Sequence, residues 1–316
     1  MKKRIISVLL ATVFALSVIG CGTKDTKEQD AYRQYGITCM ESGKYEDAVK
    51  AFQNALGESI GHIGEKELDI CFYKAKAQAL DGKTKDALAT YNAIIKYNKD
   101  ARAYYLRGDL YMDMGEEKEG RADFESAVQH GKKNYEIYIG IYESLSRHEK
   151  KDEGQKYLSA AMEIKGDKPE DELYKGRISY LLGENKDAIS YLEKAKEHKQ
   201  MLASYYLGLA YDANGDSDKA KKCIAEYIKS GVATSYDLYE LGMQEMQDGN
   251  YKNALTYFNS GLELEKVPNK QNLMKSAIAA YEYSGDFDSA KKMIKEYLKA
   301  YPDDEEAKHE NTFLET

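Results

Sequence analysis

The sequence predicts an all-α protein, a solenoid of about eight helix–turn–helix units, and three observations carry that prediction. Small residues recur at Ala48, Ala87, Gly120, Gly154, Ala188, Ala220, Ala254 and Ala290, at intervals of 39, 33, 34, 34, 32, 34 and 36. Four positions after each stands a large apolar residue: Phe52, Tyr91, Phe124, Leu158, Leu192, Ile224, Phe258 and Ile294. A period near 34 along nearly the whole chain marks stacked units, each of which buries its apolar face against its neighbours. All three prolines, Pro169, Pro268 and Pro302, fall at joints between units, where the missing N–H and the ring clash interrupt no helix.

From the N-terminus, Lys2, Lys3 and Arg4 precede an uncharged run from Ile5 to Ile19 and then Gly20-Cys21. Such a run is too short to span a bilayer as a helix and has the flanks of a signal peptide, assigned to residues 1–20. Val18-Ile19-Gly20-Cys21 resembles a bacterial lipobox, which implies that Cys21 is lipidated, becomes the mature N-terminus and anchors the chain on the extracytoplasmic side of a cell membrane. Residues 21–28, the lipidated cysteine and a polar stretch without apolar side chains, read as a flexible tether.

Residues 29–302 hold the repeats. Twelve positions before each small residue comes Gly36, Ala75, Gly108, Tyr142, Gly176, Gly208, Gly242 or Ile278. Two helices that cross there approach closely only over Gly or Ala, so the units with Tyr142 and Ile278 are expected to pack less tightly. Seven residues further on stand Gly43, Gly82, Gly115, Gly183, Gly215, Gly249 and Gly285, with Glu149 the one departure. Glycine at that place fits a left-handed helix C-cap. The extra residues of the first interval fall in Gly57 to Gly64. Residues 303–316 read as an acidic C-terminal tail or a short capping helix.

The run Tyr205-Tyr206-Leu207-Gly208-x-x-Tyr211, then Gly215-Asp216, then Ala220-x-x-x-Ile224, resembles the tetratricopeptide repeat, as do Tyr104 to Gly108 with Tyr111, Gly115 and Phe124. The resemblance implies a right-handed superhelix whose first helices line a concave groove through positions 2, 5, 9, 12 and 13 of each unit. Position 5 then reads Arg33, Phe72, Tyr105, Ile139, Leu173, Tyr205, Tyr239 and Lys275. Around it fall Tyr236 at position 2, Leu209 and Met243 at position 9, and Met112, Tyr180 and Met246 at position 12. Rigid tyrosine and adaptable methionine suit recognition, so Phe72, Tyr105, Met112, Leu173, Tyr180, Tyr205, Leu209, Tyr236, Tyr239, Met243 and Met246 are the candidate partner-binding residues. The dicarboxylate clamp of chaperone-binding members needs asparagine at position 9. Here that position holds Ile37, Lys76, Asp109, Glu143, Arg177, Leu209, Met243 and Ala279, so the clamp is not supported.

Chemistry is otherwise sparse. The five histidines, His62, His130, His148, His198 and His309, have no metal-ligand spacing, and Gly57 to Gly64 lacks the ending of a phosphate-binding loop. No catalytic residues, cofactor or metal are expected. Beyond Cys21 an odd set of three cysteines, Cys39, Cys71 and Cys223, replaces apolar helix positions; a Cys39–Cys71 disulfide is conceivable. The net charge is −8, and loss of Lys2, Lys3 and Arg4 with the signal peptide takes it to −11, which disfavours nucleic acid and favours basic or neutral partners. The expected function is that of a membrane-anchored, non-enzymatic scaffold that binds a protein or peptide along its groove. The alternatives are an assembly factor for an envelope complex of pilus or secretion type and a glycan-binding envelope protein.

Overall fold

The computed structural model describes residues 26–59, 63–166 and 168–315. The signal-peptide and Cys21 assignments and His62 lie outside these. Among the described residues there are seventeen α helices and no strand. They run as antiparallel pairs: α1 (Thr26–Glu41) with α2 (Tyr45–Gly57), α3 (Glu65–Leu80) with α4 (Thr84–Asn98), α5 (Ala101–Asp113) with α6 (Glu117–His130), and α7 (Tyr135–Arg147) with α8 (Lys151–Met162). Then come α9 (Pro169–Leu182) with α10 (Asn185–Glu197), α11 (Leu202–Ala213) with α12 (Ser217–Lys229), α13 (Ser235–Gln247) with α14 (Tyr251–Leu262), and α15 (Lys270–Tyr283) with α16 (Phe287–Ala300). A single helix, α17 (Glu305–Glu315), follows. The contacts divide the chain into two compact units, one ending at Val232 and the other beginning at Ala233.

Each pair closes over the small residues that mark the repeat. A Cβ on Gly208 would stand 2.4 Å from Ile224 Cδ1, and one on Gly242 would stand 2.2 Å from Phe258 Cε1. Hydrogen fits in these places and a methyl group does not. The fourth pair corrects the expectation of looser packing at Tyr142: Gly154, on the facing helix, would carry its Cβ 3.1 Å from the Tyr142 Cα. The small residue that every unit carries on its second helix is glycine here, and the backbones still meet over it. In the eighth pair Ile278 is buried in one cluster with Ala290 and Ile294.

The turns follow the glycine pattern. All seven glycines have φ between 69° and 84°, and Glu149 at the eighth turn adopts the same left-handed conformation at φ 61°. In the first turn Gly43 N–H donates to Met40 O at 3.1 Å and Lys44 N–H to Cys39 O at 2.8 Å, and the same doubled closure recurs at Asp216 and Asp286. Helix starts are capped locally: the Asp100 carboxylate accepts from the N–H groups of Arg102 and Ala103, and Thr234 and Asp237 form a reciprocal box.

The core is a chain of clusters rather than one centre. Met112, Phe124 and Ala127 of the third pair interlock with Ile137, Ile141 and Leu145 of the fourth. Helix α7 is apolar around most of its circumference, with Tyr135, Ile137, Tyr138, Ile139, Ile141, Tyr142 and Leu145 all buried, as expected of a helix enclosed on several sides. One boundary shifts from that expected: Thr26 to Glu28, assigned to the tether, already belong to α1. Of the two forms expected for the C-terminal segment it takes the helical one, with Ala307 and Leu314 buried.

Candidate docking surface

In four neighbouring pairs of repeats the first helices touch one another, α1 with α3, α5 with α7, α9 with α11 and α13 with α15, whereas successive second helices make no comparable contact. The first-helix face is therefore the tighter side of the stack. It is also where the candidate residues were placed, and the structure sorts them into two groups.

Phe72, Met112 and Leu173 are buried, with exposures of 7%, 2% and 7%, and are withdrawn from the binding surface. Their side chains fill the space between helices: Phe72 packs against Tyr91, Met112 lies against Gly120 of the facing helix, and Leu173 joins the cluster of Leu192 and Leu207. Tyr105 is half-buried, and its ring occupies the place where a Gly140 side chain would project, 2.6 Å from the Cβ position. Tyr205 is half-buried as well and packs its ring against Tyr206 and Tyr227, at 5.1 and 5.3 Å between centroids. Both act first as packing residues. Tyr180 and Leu209 are half-buried, Tyr180 against the core of α9 to α11.

The remaining four share one helix. Tyr236, Tyr239, Met243 and Met246 run along α13 at spacings of three and four, all half-buried. Tyr239 leans on Phe258 at 6.2 Å, and Met243 Sδ accepts from Ser276 Oγ at 3.6 Å. Glu240 lies on the same side of α13, and burial followed by the nearby Asp237 charge pushes its carboxyl up. This is an apolar stripe with acid beside it and no base on the helix.

In the repeats before Val232 the same face is charged. Lys66 pairs with Asp30 at 2.6 Å, Arg33 with Asp69 at 2.6 Å, and Arg147 with Asp109. Arg177 reaches both Glu136, at 3.3 Å, and Glu143, at 3.0 Å. Burial pushes the carboxyls of Asp109 and Glu143 up, while Arg147 and Arg177 respectively oppose the shift. These are clasps between neighbouring repeats. The signal lay in position 9, where Lys76, Asp109, Glu143 and Arg177 are four consecutive charges; a pattern sought for one ligand-binding clamp concealed its use as an interhelix ladder.

Away from this face, a cleft of about 540 Å³ opens between α2, α3 and α4, with Leu68, Cys71, Ile94 and Tyr97 in its lining. The longer first interval supplies one wall, since Tyr97 Oη donates to Ile63 O at 2.9 Å. Cys39, Cys71 and Cys223 are free thiols, so the conceivable Cys39–Cys71 bridge is absent. Burial pushes the thiols of Cys71 and Cys223 up, which makes both poor nucleophiles.

Tetratricopeptide repeat models match residues 101–129, 202–230 and 271–304. The chain carries tetratricopeptide repeats. The comparison with curated proteins gives no match. Among solved structures, a tetratricopeptide repeat protein from Parabacteroides merdae is 11% identical over 80% of this chain and 98% of that one, with a TM-score of 0.47. A chain of the APC/C hetero-tetramer Cut9-Hcn1 is 16% identical over 92% and 56%, with a TM-score of 0.45. PilW, described as a widely conserved type IV pilus biogenesis factor, is 16% identical over 78% and 99%, with a TM-score of 0.43. These likenesses concern the helical repeat fold alone. Tetratricopeptide repeats are generally protein-binding modules, and their stacked first helices offer a long face in place of a closed pocket.

Proposed function

We propose that this protein is a lipid-anchored, extracytoplasmic scaffold that holds a protein or peptide partner against the first-helix face of its repeats. The observation that carries the reading is the α13 stripe of Tyr236, Tyr239, Met243 and Met246, half-exposed beside Glu240 on a helix without lysine or arginine. Aromatic and thioether groups held part-way into a core give a partner rigid contact at low entropic cost. The anchor rests on Val18 to Cys21.

The test is capture of partners from the protein's own cell envelope by the parent chain and by a variant carrying Tyr239→Ala and Met243→Ala. The variant is expected to weaken partner binding by roughly 2 kcal/mol or more if these side chains are hot spots. Tyr211→Ala is the control, since Tyr211 is buried and donates to Glu193 Oε1 at 2.6 Å. It is expected to lower stability and to leave the α13 stripe in place. Unchanged partner affinity in a folded double variant places the contact elsewhere.

A further inference from the structure

We infer that the turn edge of the last two repeats holds a platform for a basic, arginine-bearing segment of the partner, built on the stacked rings of Tyr251 and Tyr283 with Phe287 across the turn. Tyr251 opens α14 and Tyr283 closes α15, and their rings stack at 5.4 Å between centroids and 20° between planes. Tyr251 covers one face of the Tyr283 ring, and an exposure of 67% requires that the other face be open. Phe287, the first residue of α16, is 51% exposed. Rings grouped in the open mark an interaction site, where a single exposed ring would not.

The repeat itself does not require these rings. In other units the same meeting place between neighbouring repeats holds Thr84 and Asp113, Asn185 and Ala213, or Ser217 and Gln247, and at Asn185 it is closed by a hydrogen bond from the side-chain Nδ2 to Ala213 O at 3.2 Å. Polar and small side chains serve the stack there. Only the Tyr251–Tyr283 place brings two aromatic rings together. The platform also continues the α13 stripe, because Met246 is one residue from the end of α13 and the turn from Asp248 to Asn250 leads into Tyr251. A segment lying along the stripe runs out onto this edge.

Charge selects the occupant. From Ala233 onward sixteen aspartates and glutamates stand against nine lysines, so this part carries −7 of the chain's −8 and draws cations towards it. Residues 245–253 and 282–289, which form the edge, hold five carboxylates and the single base Lys252. Of the carboxylates, Asp248 and Asp288 are exposed and enter no ion pair among the described residues. Elsewhere ring faces take a cation from the chain itself, as Phe72 takes Arg102 at 3.7 Å and Tyr211 takes Lys219 at 4.9 Å. Among the described residues none stands over Tyr251, Tyr283 or Phe287. An open ring face bordered by carboxylates favours a guanidinium, whose plane stacks on the ring while its edge donors reach the acids. The inference rests on the scaffold reading for the presence of a partner, but its residues are none of the α13 stripe.

The test compares two fluorescein-labelled nonapeptides, three repeats of Arg-Ala-Leu and three of citrulline-Ala-Leu, by anisotropy on the purified full chain. The arginine peptide is expected to bind about tenfold more tightly than the citrulline peptide. Tyr283→Ala leaves the net charge untouched, so its expected loss of about fivefold for the arginine peptide isolates the ring from general attraction to an acidic protein. Tyr283→Phe keeps the ring and is expected to bind within about twofold of the parent, whereas Asp248→Asn with Asp288→Asn is expected to lose about threefold. Tyr97→Ala, which removes an exposed ring from α4, is the control and is expected to change nothing. Circular dichroism checks that each variant is folded. Equal binding of the two peptides, binding of neither, parent-like affinity in folded Tyr283→Ala, or an equal loss in Tyr283→Phe or Tyr97→Ala overturns the inference. Self-association that Tyr283→Ala abolishes, without peptide binding, overturns it too and makes the edge a contact between copies. Loss of partner capture by the α13 variant alongside any of these results leaves the scaffold reading standing without this platform.

Discussion

Glu149 holds a conformation that seven other turns assign to glycine, with φ at 61° and a Cβ that the left-handed region disfavours. Its side chain is exposed, so the strain is not offset by burial. Glu149→Gly is therefore expected to raise unfolding free energy by about 1 kcal/mol, read as a higher midpoint in urea with an unchanged slope. A lower midpoint would show that the turn is held by something other than its backbone. Gly208 gives the opposite case, since a methyl group there already meets Ile224 Cδ1 at 2.4 Å and the Ala220 carbonyl oxygen at 3.3 Å. Gly208→Leu is expected to cost on the order of 1 to 3 kcal/mol or more by overpacking, with loss of hydrogen-exchange protection concentrated in α9 to α12. Uniform loss along the chain would contradict coupling between neighbours only.

At the scale of one element, α17 shows how charge decides docking. Asp304 accepts from Tyr297 Oη at 2.5 Å and pairs with Lys275 at 2.7 Å, and these contacts, Lys275 first, hold its carboxyl down at about 2. Glu282 of α15 faces Glu310 of α17, and burial followed by that like charge pushes it up to about 7 from an ordinary 4.5. The folded state thus binds more protons than the unfolded state between about 4.5 and 7, so stability falls as pH rises through that window. The Asp304 contribution runs the other way and is lost only as pH falls from 3.8 towards 2. The hydrogen-exchange protection factor of α17, which removes the intrinsic pH dependence of amide exchange, is expected to rise on going from pH 7.5 to 5.5. Glu282→Gln is expected to flatten that dependence and to protect α17 at pH 7.5. An unchanged pH profile in Glu282→Gln would remove the carboxyl pair as its cause.

At the scale of the whole molecule the proposed anchor and the repeat array make separable claims. Cys21→Ala is expected to leave the helical content and melting behaviour unchanged while the protein moves from the membrane fraction to the soluble fraction or medium. A variant that stays as firmly with the membrane as the parent would refute lipidation at Cys21. No helix among the described residues is long and apolar enough to cross a bilayer, so nothing in the described repeats supplies a spanning helix that would hold such a variant in place.

The repeat spacing and the left-handed turns at the glycines were legible in the linear chain, because each depends on contacts within one unit or with the next; that Glu149 keeps the same turn without glycine was not. Periodicity encodes local contact directly. The close packing of the fourth pair was half legible: the departure at Tyr142 and the glycine at Gly154 were both visible, but that the second offsets the first needs the two helices face to face. Which side chains line the docking surface was decided only by tertiary packing. Phe72, Met112 and Leu173 share register positions with half-exposed residues elsewhere yet are buried, since their neighbours Tyr91, Gly120 and the Leu192–Leu207 cluster take them into the core. The ion-pair ladder is of the same kind: Arg177 and Glu143 are 34 residues apart, and only stacking brings their charges to 3.0 Å.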